Sequence, residues 1–338
     1  MIHNVHTDSK KIVVSVLMIT YNHEKYIDEA IRGILMQQVD FHVELLICND
    51  ASTDNTNKVI ESCILNNSSQ LTITYSHHKQ NIGMMANFIF GLEHCKGKYI
   101  ALCEGDDYWT DPLKLQKQVD LLESNPNIAI SYHRVNYLMQ DGLELPETLN
   151  TSTVEKIHTL SDLARGNCIH TPSVMFRAAN IADKVLKLLK TSPACDYVMH
   201  MFNALHGDIH YMPQIMATYR YHKNSVWSSQ APTKMLNNWI KVLEILIPEF
   251  DEIIKIELKK QLIRTSIYLV KEYQNIDEYE NAIILLKNII SVNSEYHEYI
   301  IHEIFSESNR ISQIKESWSY KIGSLILSPL KHLKKLFY

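Results

Sequence analysis

Glycine is scarce in this 338-residue chain, with nine residues where the usual share of about 7% would give more than twice as many. No three of them fall at G-x-G-x-x-G spacing, and none precedes Lys-Ser or Lys-Thr. Dinucleotide fingerprints and Walker-type phosphate loops are therefore excluded, and any phosphorylated ligand must be held another way. The G-x-S-x-G elbow of serine hydrolases is missing too. The six cysteines include no C-x-x-C pair, which predicts reduced, packed thiols in a cytoplasmic protein. A net charge of −5 gives no general case for nucleic acid as a partner, since that usually needs a basic face. No run of about 18 apolar residues exists, so no segment is expected to cross a membrane. His297-Glu298 is followed by His302, one residue too far for the zinc-helix pattern.

What is present is ample core material, with 46% hydrophobic and 21% charged residues, which excludes a disordered chain. Lys10-Lys11 precede the apolar run 12–19, whose β-branched enrichment and short length predict a buried strand rather than a signal peptide. Further runs at 43–48, 71–75 and 99–103 read as short buried strands. Helix-period stretches near 26–37, 55–65, 84–95 and 112–123 separate them. This alternation predicts βαβ units and a mostly parallel sheet flanked by helices. A strand over 128–139 ends at the turn dipeptide Asp141-Gly142, and shorter strands are expected at 173–177, 209–212 and 215–221. Helices are expected around 181–189 and 197–206, and everything beyond Lys234 has helical period. The chain thus divides into an α/β domain over 10–230 and an all-helical extension over 234–338.

In a parallel sheet the ligand site lies beyond the carboxyl ends of the strands. Three such ends carry polar clusters: Thr20-Tyr21-Asn22-His23, Asn49-Asp50-Ala51-Ser52-Thr53-Asp54, and Glu104-Gly105-Asp106-Asp107-Tyr108-Trp109. Crowded carboxylates beside an apolar strand repel one another and are costly to bury, and a divalent cation relieves both problems. Glu104, Asp106 and Asp107 offer hard oxygen ligands suited to Mg²⁺ or Mn²⁺. Each residue also has a plainer reading. Asp106 and Asp107 could cap the following helix, although Asp111 before Pro112 suits that better, and Asp50 could be a turn residue.

Taken in order, Val14-Ser-Val-Leu-Met-Ile-Thr-Tyr-Asn22, Asn49-Asp-Ala-Ser-Thr-Asp54, Asn81-Ile-Gly-Met-Met-Ala-Asn87 and Glu104-Gly-Asp-Asp-Tyr-Trp-Thr-Asp-Pro112 resemble the family 2 glycosyltransferases of the GT-A fold. The resemblance is strong over residues 12–125 and extends more weakly to about 228. It implies that Thr20, Tyr21, Asn22 and Asp50 line the nucleotide pocket, with Asp50 at the base or ribose. It places Asn81 and Asn87 on the loop and helix covering the sugar nucleotide, and Asp106 and Asp107 at the metal and diphosphate. The family's acidic tripeptide is usually Asp-x-Asp, whereas this chain has Glu104-Gly105-Asp106. Asp196, opening a helix after Cys195, matches the family's general base; as a residue type it equally suits a helix cap. His222, in Tyr219-Arg-Tyr-His-Lys-Asn-Ser-Val-Trp227, is implied as a third metal ligand or diphosphate contact, or is simply structural.

The function implied is a metal-dependent, inverting transfer of one sugar from a nucleotide-diphosphate donor, with a UDP-sugar the first choice. The acceptor would be a glycan or lipid-linked hydroxyl in bacterial surface-polysaccharide assembly, such as O-antigen or capsule. Alternative readings are a non-catalytic scaffold on the same fold and a sugar nucleotidyltransferase, although the latter's basic glycine-rich loop is missing after Ile19. Processive synthases carry Q-x-x-R-W, and no tryptophan here follows an arginine, so single-sugar addition is expected. Residues 308–338 hold six Lys/Arg against one Glu, and their apolar residues from Trp318 to Phe337 follow helical spacing. Such a tail suits either a peripheral helix on the anionic inner face of the plasma membrane or a helix packed on the domain.

Overall fold

The apolar runs become neighbouring strands of one sheet. The computed structural model describes residues 2–5, 11–67, 69, 71–223, 225, 227 and 229–310. Among these, the strands are β1 (Ile2–Val5), β2 (Ile12–Thr20), β3 (His42–Asn49), β4 (Thr72–His77), β5 (Tyr99–Leu102) and β6 (Tyr108–Trp109). They are followed by β7 (Ile128–Met139), β8 (Glu144–Pro146), β9 (Lys156–His158), β10 (Met175–Arg177) and β11 (Asp208–Tyr221). The order across the sheet is β1-β4-β3-β2-β5-β10-β7-β11-β6, with β8 beside β7 and β9 beside β11. The run β4-β3-β2-β5 is parallel, as the strand–helix alternation predicts. Beyond β5 the sheet is mixed: β10 is antiparallel to both β5 and β7, whereas β11 runs parallel to β7.

Period-two alternation sends the two sides of each central strand into different cores. Val14, Val16 and Met18 of β2 join Val43, Leu45 and Ile47 of β3 on one face, while Leu17, Ile19, Leu46 and Cys48 point to the other. Helix Ile27–Leu35 covers the first face with Ile27, Ala30, Ile31 and Ile34, an i, i+3, i+4, i+7 stripe. Helices Met84–His94, Asp196–Asn203 and Pro232–Leu246 cover the second. Each large aliphatic side chain buried in this way is worth about 1.5–3 kcal/mol.

Two expected elements differ in the structure, and proline explains both. The strands expected at 209–212 and 215–221 are one strand, β11, with register shifts around Pro213, which cannot donate to the ladder. The strand expected from Ser173 starts only at Met175, because Pro172 opens a short 3₁₀ turn over Thr171–Ser173. The Asp141-Gly142 turn forms as expected, with Gly142 at φ +87°.

Helix Asp196–Asn203 carries an acid-sensitive group. His200 is fully buried, neither ring nitrogen has a partner, and burial pushes it down to about 3 from an ordinary 6.5. Below pH 6.5 the unfolded chain takes up this proton and the folded one does not. Stability should therefore fall by about 1.4 kcal/mol per pH unit between 6.5 and 3 from this residue. Urea midpoints compared at pH 7.0 and 5.5 should drop less in a His200→Leu protein than in wild type. Equal drops would clear His200 of the effect.

The chain divides into two compact units, one ending at Leu262 and one beginning at Ile263. Helix Pro232–Leu246 contributes Val242, Leu243 and Leu246 to the core of the first. The second unit is helical in its described part and packs around Ile263, Ile267, Val270, Ala282, Ile289 and Ile300. The basic amphipathic stretch expected at the C-terminus lies outside the described residues.

Candidate active site

The carboxyl ends of β2, β3 and β5 converge on one cavity of about 820 Å³ in the first unit. Left-handed residues turn the chain into it directly after two of these strands: Asn22 at φ 56° and Ala51 at φ 57°. Neither is glycine, so each conformation costs about 1–2 kcal/mol and must be held by its surroundings. The Asn22 Oδ1 accepts from Thr53 N at 2.8 Å, and the Asn22 N–H donates to Ser52 Oγ at 2.9 Å. Asn22 thus staples the first loop to the second and is not itself on the cavity wall, whereas Thr20 and Tyr21 are.

Asp50 is 2% exposed, lines the cavity, and already accepts from Ile82 N at 2.7 Å and Gly83 N at 2.9 Å. Asn81 donates to the Asp50 carbonyl at 3.2 Å. Asn87 donates to the Cys48 carbonyl at 2.8 Å, and its Oδ1 pairs with His78 Nε2 at 2.9 Å. These residues clamp the 81–83 loop onto β3 and leave part of their polar surface on the wall.

The β5 end carries the acidic cluster. Ligand atoms of Glu104, Asp106 and Asp107 lie within 4.8 Å of one another. Gly105 permits this approach: a Cβ there would sit 2.6 Å from Thr20 Oγ1 and 2.9 Å from Ile27 Cδ1. Asp106 Oδ2 meets His222 Nε2 at 2.9 Å and His23 Nε2 at 3.8 Å. Burial alone would push Asp106 up, but His23 and the His222 hydrogen bond outweigh it, and its carboxyl lies below the ordinary value. Asp107 accepts from Arg220 N at 2.8 Å, yet burial and then the charges of Asp106 and Glu104 push it well up. Glu104 is pushed up to about 8 by burial, reinforced by Asp106 and Asp196. Arg220 ties the loop down, donating to the Asp106 carbonyl at 2.7 Å and to Glu29 while lying 4.5 Å over the Tyr108 ring.

Several buried polar atoms here have no partner: Asp106 Oδ1, Asp107 Oδ2, Thr20 Oγ1, and the Nδ1 atoms of His23 and His222. Leaving such atoms unpaired costs about 1–3 kcal/mol each, a cost that bonds to a ligand would offset. Clustered hard oxygens with free lone pairs fit a divalent cation. The structure brings Glu104 into this set and onto the cavity wall, although it departs from the family's usual aspartate; Asp107, of the same set, and His222, which meets Asp106, do not line the cavity.

Asp196 is the first residue of helix Asp196–Asn203, and Cys195 at the cap makes no side-chain capping bond. It lines the same cavity as Glu104 and Asp106. Burial raises its carboxyl above the ordinary value, partly offset by the Tyr197 and Asp196 backbone N–H groups and by Asn167, whose Nδ2 donates at 3.3 Å. Sequence reading did not single out His23, Asn167, His170, Tyr219 or Trp239, all of which line the cavity. His23 was within reach, since it directly follows Thr20-Tyr21-Asn22. Asn167 and His170 sit in a stretch without periodic pattern, where only tertiary packing gives them a place.

Residues 15–181 match the family described as glycosyl transferase family 2. An uncharacterised protein of Mycobacterium tuberculosis is 37% identical over 222 residues, covering 64% of this chain and 61% of that protein. The chain therefore spans about three-fifths of the length of such curated relatives. An uncharacterised glycosyltransferase of Haemophilus influenzae is 29% identical over 224 residues, covering 64% of this chain and 68% of its own length. Among solved structures, S. aureus TarS 1-349 in complex with UDP-GlcNAc superposes with a TM-score of 0.58 at 18% identity, over 85% of this chain and 92% of that one. The mannosyltransferase PcManGT of Pyrobaculum calidifontis, in complex with GDP-Man and Mn²⁺, gives 0.58 at 15% identity, over 92% and 89%. This chain carries a glycosyltransferase family 2 domain over residues 15–181, on a GT-A fold.

Proposed function

We propose that the protein is an inverting, metal-dependent glycosyltransferase that moves one sugar from a nucleotide-diphosphate donor, preferentially a UDP-sugar, to a hydroxyl of a glycan or lipid-linked acceptor. The observation that carries this reading is the shared cavity: Glu104 and Asp106, whose Oδ1 has no partner, line it at the β5 end together with Asp196. In this reading Thr20, Tyr21 and Asp50, with Asn81 and Asn87, form the nucleotide end. Glu104, Asp106, Asp107 and His222 are the residues that would hold Mn²⁺ or Mg²⁺, which when bound neutralises charge on a departing diphosphate.

Asp196 takes the acceptor hydroxyl proton on a carboxylate oxygen. The freed oxygen lone pair forms a bond to the anomeric carbon, and the bond from that carbon to the diphosphate breaks, its electron pair leaving on the phosphate oxygen. Attack from the face away from the diphosphate inverts the anomeric centre. A carboxyl raised by burial is a stronger base than an exposed one, which suits this task. Thermal shifts of the full chain against UDP-, GDP- and CMP-sugars, with and without Mn²⁺, test the proposal. A Mn²⁺-dependent shift with one donor class is expected; no shift with any of them would sink it.

We place the protein at the cytoplasmic side of the plasma membrane in surface-polysaccharide assembly. No described helix is long and apolar enough to cross a membrane, so membrane contact would rest on the basic residues beyond Ser308. Flotation on anionic liposomes should fall by at least tenfold on truncation after Ser308 and vanish at 1 M salt, where the Debye length is about 3 Å. Flotation unchanged by truncation would remove the tail from the proposal.

A further inference from the structure

A buried carboxyl group of the other half of the sheet reaches a residue of the cavity lining. The Glu147 side chain is fully buried, and both its oxygens are engaged: Oε2 accepts from Val135 N at 3.0 Å, Oε1 accepts from Asn150 Nδ2, and His170 Nε2 lies 3.1 Å from Oε1. Tyr137 Oη lies 3.2 Å from the same His170 nitrogen, and the Tyr137 and Tyr219 rings both stand 5.5 Å from the imidazole. Asn150 is in turn anchored on the Cys168 carbonyl at 2.8 Å.

A buried carboxylate is expensive, and an apolar residue of similar size would hold this segment at lower cost. What the carboxylate adds is control of the imidazole. A carboxylate oxygen can only accept, so the contact fits the tautomer with the proton on Nε2, which leaves the Nδ1 lone pair free. No described residue supplies a partner for Nδ1, and His170 lines the cavity with Asn167 and Asp196. The same cavity is lined by Trp227 and Trp239, edge to face at 6.1 Å, with Trp239 stacked on Tyr197 at 4.8 Å. An aromatic face beside aligned hydrogen-bonding groups matches a pyranose ring, which offers C–H groups on one face and hydroxyls at its edge.

We propose that His170, positioned by Glu147, and the Trp227–Trp239 wall form a subsite for a pyranose ring of the acceptor, with Nδ1 accepting from a hydroxyl adjacent to the one that faces Asp196. The inference rests on the glycosyltransferase reading and names its acceptor class: the reacting end is a sugar. His170 is a binding residue here and Glu147 a positioning residue.

The test uses the full chain loaded with UDP and Mn²⁺. Saturation-transfer NMR with the methyl glycosides of glucose, galactose, mannose and N-acetylglucosamine should detect at least one of them in wild type. His170→Ala should reduce that signal at least fivefold, and His170→Asn, which restores an acceptor oxygen, should recover part of it. Glu147→Gln should raise the Nδ1–H tautomer of His170 in its ¹⁵N spectrum and weaken the glycoside signal together with it. UDP binding in the same samples reports that the variants are folded. Wild type binding UDP but no glycoside, or His170→Ala retaining the full signal, overturns the subsite alone. Wild type binding neither UDP nor GDP overturns the glycosyltransferase reading and the subsite with it.

Discussion

Asp196→Asn protein is expected to bind nucleotide sugar as wild type does and to transfer the sugar roughly 10²–10⁴-fold more slowly, the usual contribution of a positioned general base. The substitution keeps the shape of the side chain and its contact with Asn167 Nδ2 at 3.3 Å, while removing the capacity to take a proton. Asp196 opens the helix but its neighbour Cys195 occupies the cap position, so the loss of charge should cost little stability. That separates the two roles the residue type could serve. A cap would reveal itself as lost stability of about 0.5–2 kcal/mol with turnover intact. Steady-state kinetics and urea titration of the same variant decide between them, and retained turnover would end the assignment.

Asp106→Asn is the second large expected effect. Its carboxylate is the point on which His222 and His23 converge, and its Oδ1 is buried without a partner. Removing one member of a buried charge arrangement costs about 2–5 kcal/mol, so donor affinity in Mn²⁺ should fall by a factor of about 30 or more. In EDTA the variant and wild type should bind UDP equally, because Asp50 and the 81–83 loop at the nucleotide end are untouched. Calorimetric titration with UDP in both buffers reads this directly. An equal loss in both buffers would mean that the substitution damages the pocket itself, and no loss in either would remove Asp106 from the metal set.

The α/β half was legible because its signals are local. Seven apolar residues among the eight at 12–19, or the Ile27–Ile34 stripe, carry their secondary structure and their buried faces within one segment. The polar ends of β2, β3 and β5 were legible for the same reason: short clusters of Thr, Asn, Asp and Glu break off abruptly where an apolar strand stops. The second half spoke less clearly. Pro213 made one strand look like two, and the 166–173 stretch has no period at all, so Asn167 and His170 could not be distinguished from loop residues.

The sequence alone determined the strand–helix alternation, the convergence of three acidic or amide-rich loops on one sheet edge, and the absence of any glycine-built phosphate cradle, since each depends only on the order and spacing of residues. The tertiary structure decided how those residues divide their work. Asn22 became a staple rather than a wall, Asp107 and His222 stand off the cavity lining, and Glu104 joined the cluster despite its extra methylene. It also brought Glu147, 23 residues before His170, into contact with it, and set His170 on the cavity that Asp196 lines. These outcomes hinge on distances of a few ångströms between segments far apart in the chain. Such distances are set by how the two faces of the sheet pack, which no local pattern encodes.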